Sequence, residues 1–319
     1  MTAHECVADA WQSGLGAIVS NLEQHRLQVL QVNRKIMLWL GGVSLVVAGW
    51  MLATGLHWGV ALITLFVIFV IGAVIITRRK AKLAVLFKTE AIPELLRTAL
   101  PGFWYAGSRC VSDVEFNNSS LFIKPDRYNG KDYFEGTHGK TRLHFSLVHA
   151  EEQYETTTTD TDSDGHSTTR TEEHWRDIFK GLFFAADFNK YFNGCTLVRT
   201  GKAGILSGLN SSMVKLEDSR FSQQFTVYSS DQVEARYLLT PRMMERLMEL
   251  KASLGSIELS FVGSWVYIAA GGFPYNAFEP DLKHPFNDPV QLERTLGWIF
   301  LVVGIVEELD LNTRIWTKR

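Results

Sequence analysis

Forty-two consecutive residues, Ile36 to Thr77, contain no Asp, Glu, Lys or Arg, and His57 is the one ionisable side chain among them. No other feature restricts the fold as much. A bilayer core of roughly 30 Å takes about 20 apolar residues of helix, so this stretch suffices for two spans. Gly55-Leu56-His57-Trp58-Gly59 breaks it near the middle, with glycines to turn and a tryptophan suited to the membrane–water interface. The sequence therefore predicts a two-helix transmembrane hairpin over 36–77, with antiparallel helices at 36–56 and 58–77 that satisfy their own backbone polar groups. One long hairpin buried in a soluble protein is the alternative, and the span lengths disfavour it. A signal peptide fits less well. The apolar run begins only at residue 36, exceeds an h-region of roughly 7–15 residues, and passes straight into a second span.

The flanks set the orientation. Arg34 and Lys35 precede the first span, Arg78, Arg79, Lys80 and Lys82 follow the second, and the turn between carries no Lys or Arg. The positive-inside rule then puts both termini in the cytoplasm of a multi-pass protein. Arg34, Lys35, Trp58, Arg78, Arg79 and Lys80 are the expected membrane-interface residues. Each cation near anionic headgroups is worth about 1 kcal/mol. Gly41, Gly42, Ala48 and Gly49 could serve as a helix-packing face. His57 lies in the turn, where water reaches it. Neither span holds a charged residue, so the usual parts of a transporter or proton relay are missing.

The remaining composition narrows the class further. A net charge of −2 over 319 residues offers no argument for a nucleic-acid partner. Cys6, Cys110 and Cys195 are odd in number and widely spaced, with no zinc or disulfide framework, which fits a reducing compartment.

Residues 1–35 carry Leu15, Ile18, Val19, Leu22, Leu27 and Leu30 at mostly helical spacing, an amphipathic helix leading into the first span. Helix is expected to continue over 78–103 until Pro101-Gly102 stops it. From 104 to 319 a soluble domain is expected. Val111–Phe116, Leu121–Ile123, Arg142–His149, Cys195–Arg199, Met213–Leu216 and Phe225–Tyr228 read as strands. Asp231 with Glu234 reads as a capping box, and Thr240-Pro241 starts a second helix that Gly255 ends. Ile257–Phe261 and Trp265–Ala269 suggest a hairpin. Asp288-Pro289 opens a last helix whose uncharged stretch, Leu296–Val306, is too short to span a membrane. Strands and helices segregate without βαβ alternation, so the fold class is α+β: the hairpin, then a mixed, mainly antiparallel β domain with packed helices.

Motifs for phosphate binding, a nucleophile elbow, HExxH or a kinase are absent from the sequence. Asp160-Thr161-Asp162-Ser163-Asp164-Gly165 opens like a calcium loop, making Asp160, Asp162 and Asp164 candidate metal ligands. Position twelve, where a bidentate Glu should close the loop, is Thr171, and a polar hairpin tip accounts for the same residues. His138, His144, His149, His166 and His174 lie among Glu151, Glu152, Glu172 and Glu173 without a specific ligand spacing. Phe179–Phe188 reads either as a core strand or as an exposed apolar patch.

Arg127-Tyr128, Gly130-Lys131-Asp132-Tyr133, the run Ile178–Lys190, Val214-Lys215-Leu216-Glu217-Asp218 and Val227–Thr240 together resemble the domain-of-unknown-function family 3137, uncharacterised bacterial membrane proteins. The resemblance covers roughly 85–280. It implies a bacterial inner (plasma) membrane location and, because members are often encoded beside small LemA-like membrane proteins, a protein partner of that kind. It brings no agreed activity, cofactor or catalytic residue.

The functional expectation is a membrane-anchored, cytoplasmic-facing interaction or scaffold protein, non-enzymatic and without cofactor. Its partners would be the lipid bilayer and a second protein or further copies of itself. Two alternatives stand beside it. One is a membrane-associated enzyme using Asp132, Glu135, Asp187, Asp231, Glu234 and Arg236. The other is a metal-responsive sensor using the 160–165 loop.

Overall fold

The computed structural model describes residues 2–54, 58–161, 167–200 and 211–311, and the fold is α+β with one large antiparallel sheet. The chain divides into two compact units, residues 1–101 with 278–297 and residues 102–277 with 298–319.

The first unit is helical. Helix α1 (Ala3–Ala10) is capped by Thr2 in a reciprocal box with Glu5 and runs through a π-helical turn into α2 (Gly16–Thr54). Helix α3 spans Trp58–Ala99. Leu40 lies against Gly72 and the Ser13 hydroxyl meets that of Thr98, so α2 and α3 run antiparallel. Leu15 at the end of the π-helical turn and Val19, Leu22, Arg26 and Asn33 of α2 form one buried face, while Leu27 and Leu30 face outward. The sequence-predicted apolar stripe thus holds to Leu22 and then gives way to polar residues. Arg26 is buried because its charge is met: Glu23 accepts two of its N–H bonds at 2.8 Å, and the Leu282 carbonyl accepts another at 3.1 Å. Glu23 also accepts the Phe286 backbone N–H at 2.8 Å. Lys88, equally buried, pairs with Glu279 at 3.0 Å, and Phe87 packs on Phe286 with ring centroids 4.8 Å apart. Segment 278–297 is therefore fastened to the two helices by ionic and aromatic contacts. Breaking one partner of such a buried pair costs about 3–5 kcal/mol.

The second unit is built on the sheet β1-β2-β3-β4-β6-β5, with β7 also paired to β4. The strands are β1 (Trp104–Ala106), β2 (Arg127–His138), β3 (Thr141–Thr161), β4 (Ser167–Thr200), β5 (Ser212–Met213), β6 (Phe225–Ser229) and β7 (Ile257–Ala270). Between Leu182 and Ala186, β4 lies between β3 and β7, and Leu182, Phe183, Phe184, Ala185 and Ala186 are all fully buried. That is why the run from Phe179 is apolar without alternation: a central strand covered on both faces has no solvent side. Gly181 is the necessary exception in the run, since a Cβ there would overlap the Ala270 carbonyl oxygen.

Three local expectations are corrected. Val111–Phe116 is not a strand; Asp113–Asn118 form helix α4, whose N-cap Ser112 accepts the Glu115 N–H. Ser112-Asp113-Val114-Glu115 carries a helix-start pattern that outweighs the β-formers around it. Its Phe116 enters an aromatic core with Phe122, Tyr128, Phe179 and Phe183. Leu121–Ile123 is irregular, following Ser120 with φ at 59°. Ile257–Ala270 is one strand rather than a hairpin. Gly263 (φ 61°) marks an irregularity in its pairing with β4 instead of a reversal.

The expected helices from Asp231 onward form, although the expected capping box between Asp231 and Glu234 does not close. Asp231 caps α6 (Gln232–Leu238), accepting the Val233 and Glu234 N–H groups. Thr240 caps α7 (Pro241–Leu254), and Gly255 ends it at φ 81°. The last helix, α8 (Pro289–Glu308), is a core helix from Thr295 onward: Leu296, Ile299, Val302, Val303, Ile305 and Val306 are buried, and no side chain between 295 and 306 is exposed.

Candidate functional site

Beyond Glu151 the sheet narrows to two strands. Residues 152–161 of β3 pair only with 167–176 of β4, forming a ribbon that leaves the sheet just past a bulge between Ala150 and Glu151. Its side chains from 153 to 158 and 169 to 173 are exposed, and among the described residues no third strand covers either edge. At its base, His149, Glu151 and Asp177 each turn a ligand atom inward, all within 4.8 Å of one another. His149 Nε2 lies 2.7 Å from Asp177 Oδ1, and Glu151 faces the Arg127 guanidinium at 3.6 Å. Arg127 is held in place by stacking on Trp175, 3.9 Å from its ring centre. Asp126 closes the same corner by accepting the Gln153 N–H. The Tyr275 ring lies near His149 and takes the Lys131 and Lys180 ammonium groups on its faces at 4.9 and 5.4 Å.

Two members of this group, His149 and Glu151, stand among the histidines and glutamates singled out by sequence. Two residues apart in the strand, they share a face. Asp177 went unnoticed, because only the β3–β4 register reveals it: Glu151 pairs with Asp177. His144 goes elsewhere. It is buried, with Nε2 2.7 Å from Glu115 of α4 and its ring against Tyr133 and Trp265. His138 contacts Glu307, and His174 stacks on Tyr154.

The six polar residues of the enzyme alternative have separate local partners. Asp132, fully buried at φ 59° where β2 bulges, accepts the Tyr105 hydroxyl at 2.6 Å. Glu135 accepts the Tyr133 hydroxyl; burial, and after it the Glu135 carboxylate, push the Tyr133 phenol up to about 12. Asp187 sits opposite Trp265 in the β4–β7 ladder. Asp231 caps α6, while Glu234 reaches across to accept the Asn193 and Gly194 N–H groups at 3.4 and 3.1 Å instead of closing a box on Asp231. Arg236 donates to the Gln232 carbonyl one turn back. The three cysteine thiols are pushed up by burial, the opposite of what a reactive thiolate needs.

Of the candidate calcium ligands, Asp162, Asp164 and the Asp160 side chain lie outside the described residues, as do His57 and the Trp58 side chain. Arg34, Lys35, Arg78, Arg79 and Lys80 are exposed. Between these two groups of cations, Leu38, Trp39, Leu45, Val46, Leu62, Ile63, Phe66 and Phe69 are all more than 60 % exposed. Among the described residues three helices are long and apolar enough to cross a membrane, judged by length and composition: Ala3–Trp50, Leu62–Ala99 and Pro289–Glu308. The first two leave their apolar windows almost wholly uncovered, whereas half of the third is buried.

Comparison with curated proteins returns no match. Among solved structures, the crystal structure of the mycobacterial trehalose monomycolate transport factor A, TtfA, aligns over 63 % of this chain and 88 % of its own, at 9 % identity and a TM-score of 0.34. A likeness that low carries no argument about fold or function. The family comparison is informative: the model described as a protein of unknown function, DUF3137, matches residues 177–311, from Asp177 at the ribbon base to the end of the last helix. The resemblance to family 3137 stands, carried by the second half of the chain.

Proposed function

We propose that this protein is a membrane-anchored interaction module, non-enzymatic, whose helices α2 and α3 cross the bilayer as a hairpin and whose sheet domain faces the cytoplasm. The observation that carries the reading is the uncovered apolar surface of 36–77, bounded at both ends by exposed Arg and Lys. Leaving those eight large apolar side chains in water would cost about 1.5–3 kcal/mol each relative to burial. Lipid removes that cost, and the charge bias supports the reading with both termini inside. The interaction reading follows from the second unit, where the acidic and basic residues of the enzyme alternative cap helices, hold turns or fill buried corners. A surface ribbon with two open edges is suited to contact rather than turnover.

The partner is a second membrane protein, LemA-like by the family's implication, or another copy of this chain at the bacterial inner membrane. The test is native mass spectrometry of the full-length protein extracted from membranes in mild detergent. A stoichiometric complex, with itself or with one other protein, is the expected result. A bare monomer across a series of gentle detergents overturns the reading.

A further inference from the structure

We propose that His149, Glu151 and Asp177 bind one divalent transition-metal ion, with zinc as the natural occupant by ligand type. This goes beyond the interaction reading and does not depend on it. One imidazole nitrogen and two carboxylate oxygens are a donor set that zinc accepts, at roughly 2.0–2.2 Å per ligand. In a tetrahedral site the ligand atoms lie about 3.4 Å apart by that geometry. Those of His149, Glu151 and Asp177 already stand within 4.8 Å of one another, and His149 Nε2 is 2.7 Å from Asp177 Oδ1. Small side-chain rotations at half-exposed positions are enough to admit the ion. Three protein ligands leave a position for water, the arrangement of an open site.

The charges around the triad bear on its strength. Two carboxylates balance a divalent ion. Arg127, 3.6 Å from Glu151, competes with it, while Lys131 and Lys180 are drawn onto the Tyr275 ring. The expected affinity is therefore modest, and removal of the Arg127 charge strengthens it. The position gives the site a consequence. His149 pairs with Asn129 and Lys180 before the bulge, and Glu151 and Asp177 form the first rung beyond it, Glu151 being the last residue of β3 that β2 still covers, through Arg127. An ion held by all three would bolt the ribbon to the sheet at the point where it departs.

The experiment uses the full-length protein in detergent, freed of metal and titrated with zinc chloride by equilibrium dialysis, with hydrogen exchange read in parallel. One ion per chain is expected, with slowed exchange across 152–158 and 170–176. His149→Ala and Asp177→Asn should each weaken binding at least tenfold. Arg127→Gln should tighten it. Joint replacement of Asp160, Asp162 and Asp164 by Asn should leave it unchanged. Asp177→Asn is the variant that protects the conclusion against misfolding, since the side chain is 55 % exposed and the change keeps its shape. Absence of saturable binding, binding that survives both ligand variants, or binding lost only with the 160–164 replacements would overturn the proposal.

Discussion

Gly181→Ala puts the central strand under a load whose size the structure gives. The added methyl would overlap the Ala270 carbonyl oxygen and sit 3.1 Å from both the Ala270 carbonyl carbon and the Gly271 Cα. All of these are backbone atoms of β7 and its end, so no side chain can rotate away. Relief requires β4 and β7 to part by a large fraction of an ångström, against an interstrand spacing of about 4.8 Å. Overpacking of this kind costs about 1–3 kcal/mol. Loosening a buried backbone hydrogen bond beside Leu182 and Ala270 adds roughly 1 kcal/mol or more. A total of about 2–4 kcal/mol in a unit of this size lowers the melting temperature by roughly 5–15 °C. The assay is thermal unfolding of the detergent-solubilised chain followed by near-ultraviolet circular dichroism. Gly263 supplies the contrast: a Cβ there meets nothing within 4 Å, and only its φ of 61° resists substitution. Asn tolerates that region better than Ala does, so Gly263→Asn should be milder than Gly263→Ala. At Gly181 the larger Asn should be at least as harmful as Ala. Equal melting of Gly181→Ala and the parent protein would refute the steric argument.

Other consequences are open to direct measurement. Glu23 is held below the ordinary carboxylate value of 4.5, chiefly by its bond from Arg26 and also by the Phe286 N–H. Its contribution is therefore complete above about pH 4.5 and lost as pH falls through the lowered value. Protection of 278–297 in hydrogen exchange should drop in that acid range, and Glu23→Gln should flatten the dependence. Glu308 is pushed up by burial first and by Glu249 second, so its charge opposes folding once ionised. Glu308→Gln should raise the melting temperature at pH 7 and have no such effect well below pH 4.5. Glu234→Ala strips the Asn193 and Gly194 N–H groups of their acceptor and should cost about 1–3 kcal/mol, read from chemical denaturation. In sealed inner-membrane vesicles of known sidedness, a cysteine introduced at position 57 of a cysteine-free variant should react with impermeant maleimide only from the periplasmic side. Labelling from the cytoplasmic side would reverse the proposed topology.

Much of the fold was legible because single residues announce it. Uncharged length marks the two long helices, Thr240-Pro241 and Gly255 bound α7, and an unbroken apolar run marks the strand covered on both faces. The misreadings came where two local signals compete. At Val111–Phe116 the β-formers are real, but the Ser112 hydroxyl accepts the Glu115 N–H at the helix start and fixes α4. At Gly263-Ser264 a glycine that could reverse the chain instead accommodates an irregular rung. On α2 the predicted stripe missed Arg26 because its burial depends on Glu23 and on a carbonyl 256 residues away in sequence. The same limit applies to the candidate metal ligands. His149 and Glu151 lie close in sequence, but Asp177 joins them only through strand register, which periodicity alone does not fix.

The long fourth strand has a mechanical consequence. Its 34 residues run from the ribbon through the core rung at Leu182–Ala186 to Thr200 beside β6, on the order of 100 Å of contour. A pull on the ribbon passes along β4 itself rather than through a loop, and meets ladders with β3, β7 and β6 that lie parallel to the force. Those bonds are loaded in shear, many at a time, rather than unzipped one by one, so the ribbon is coupled to β3, β7 and β6 through a single continuous strand.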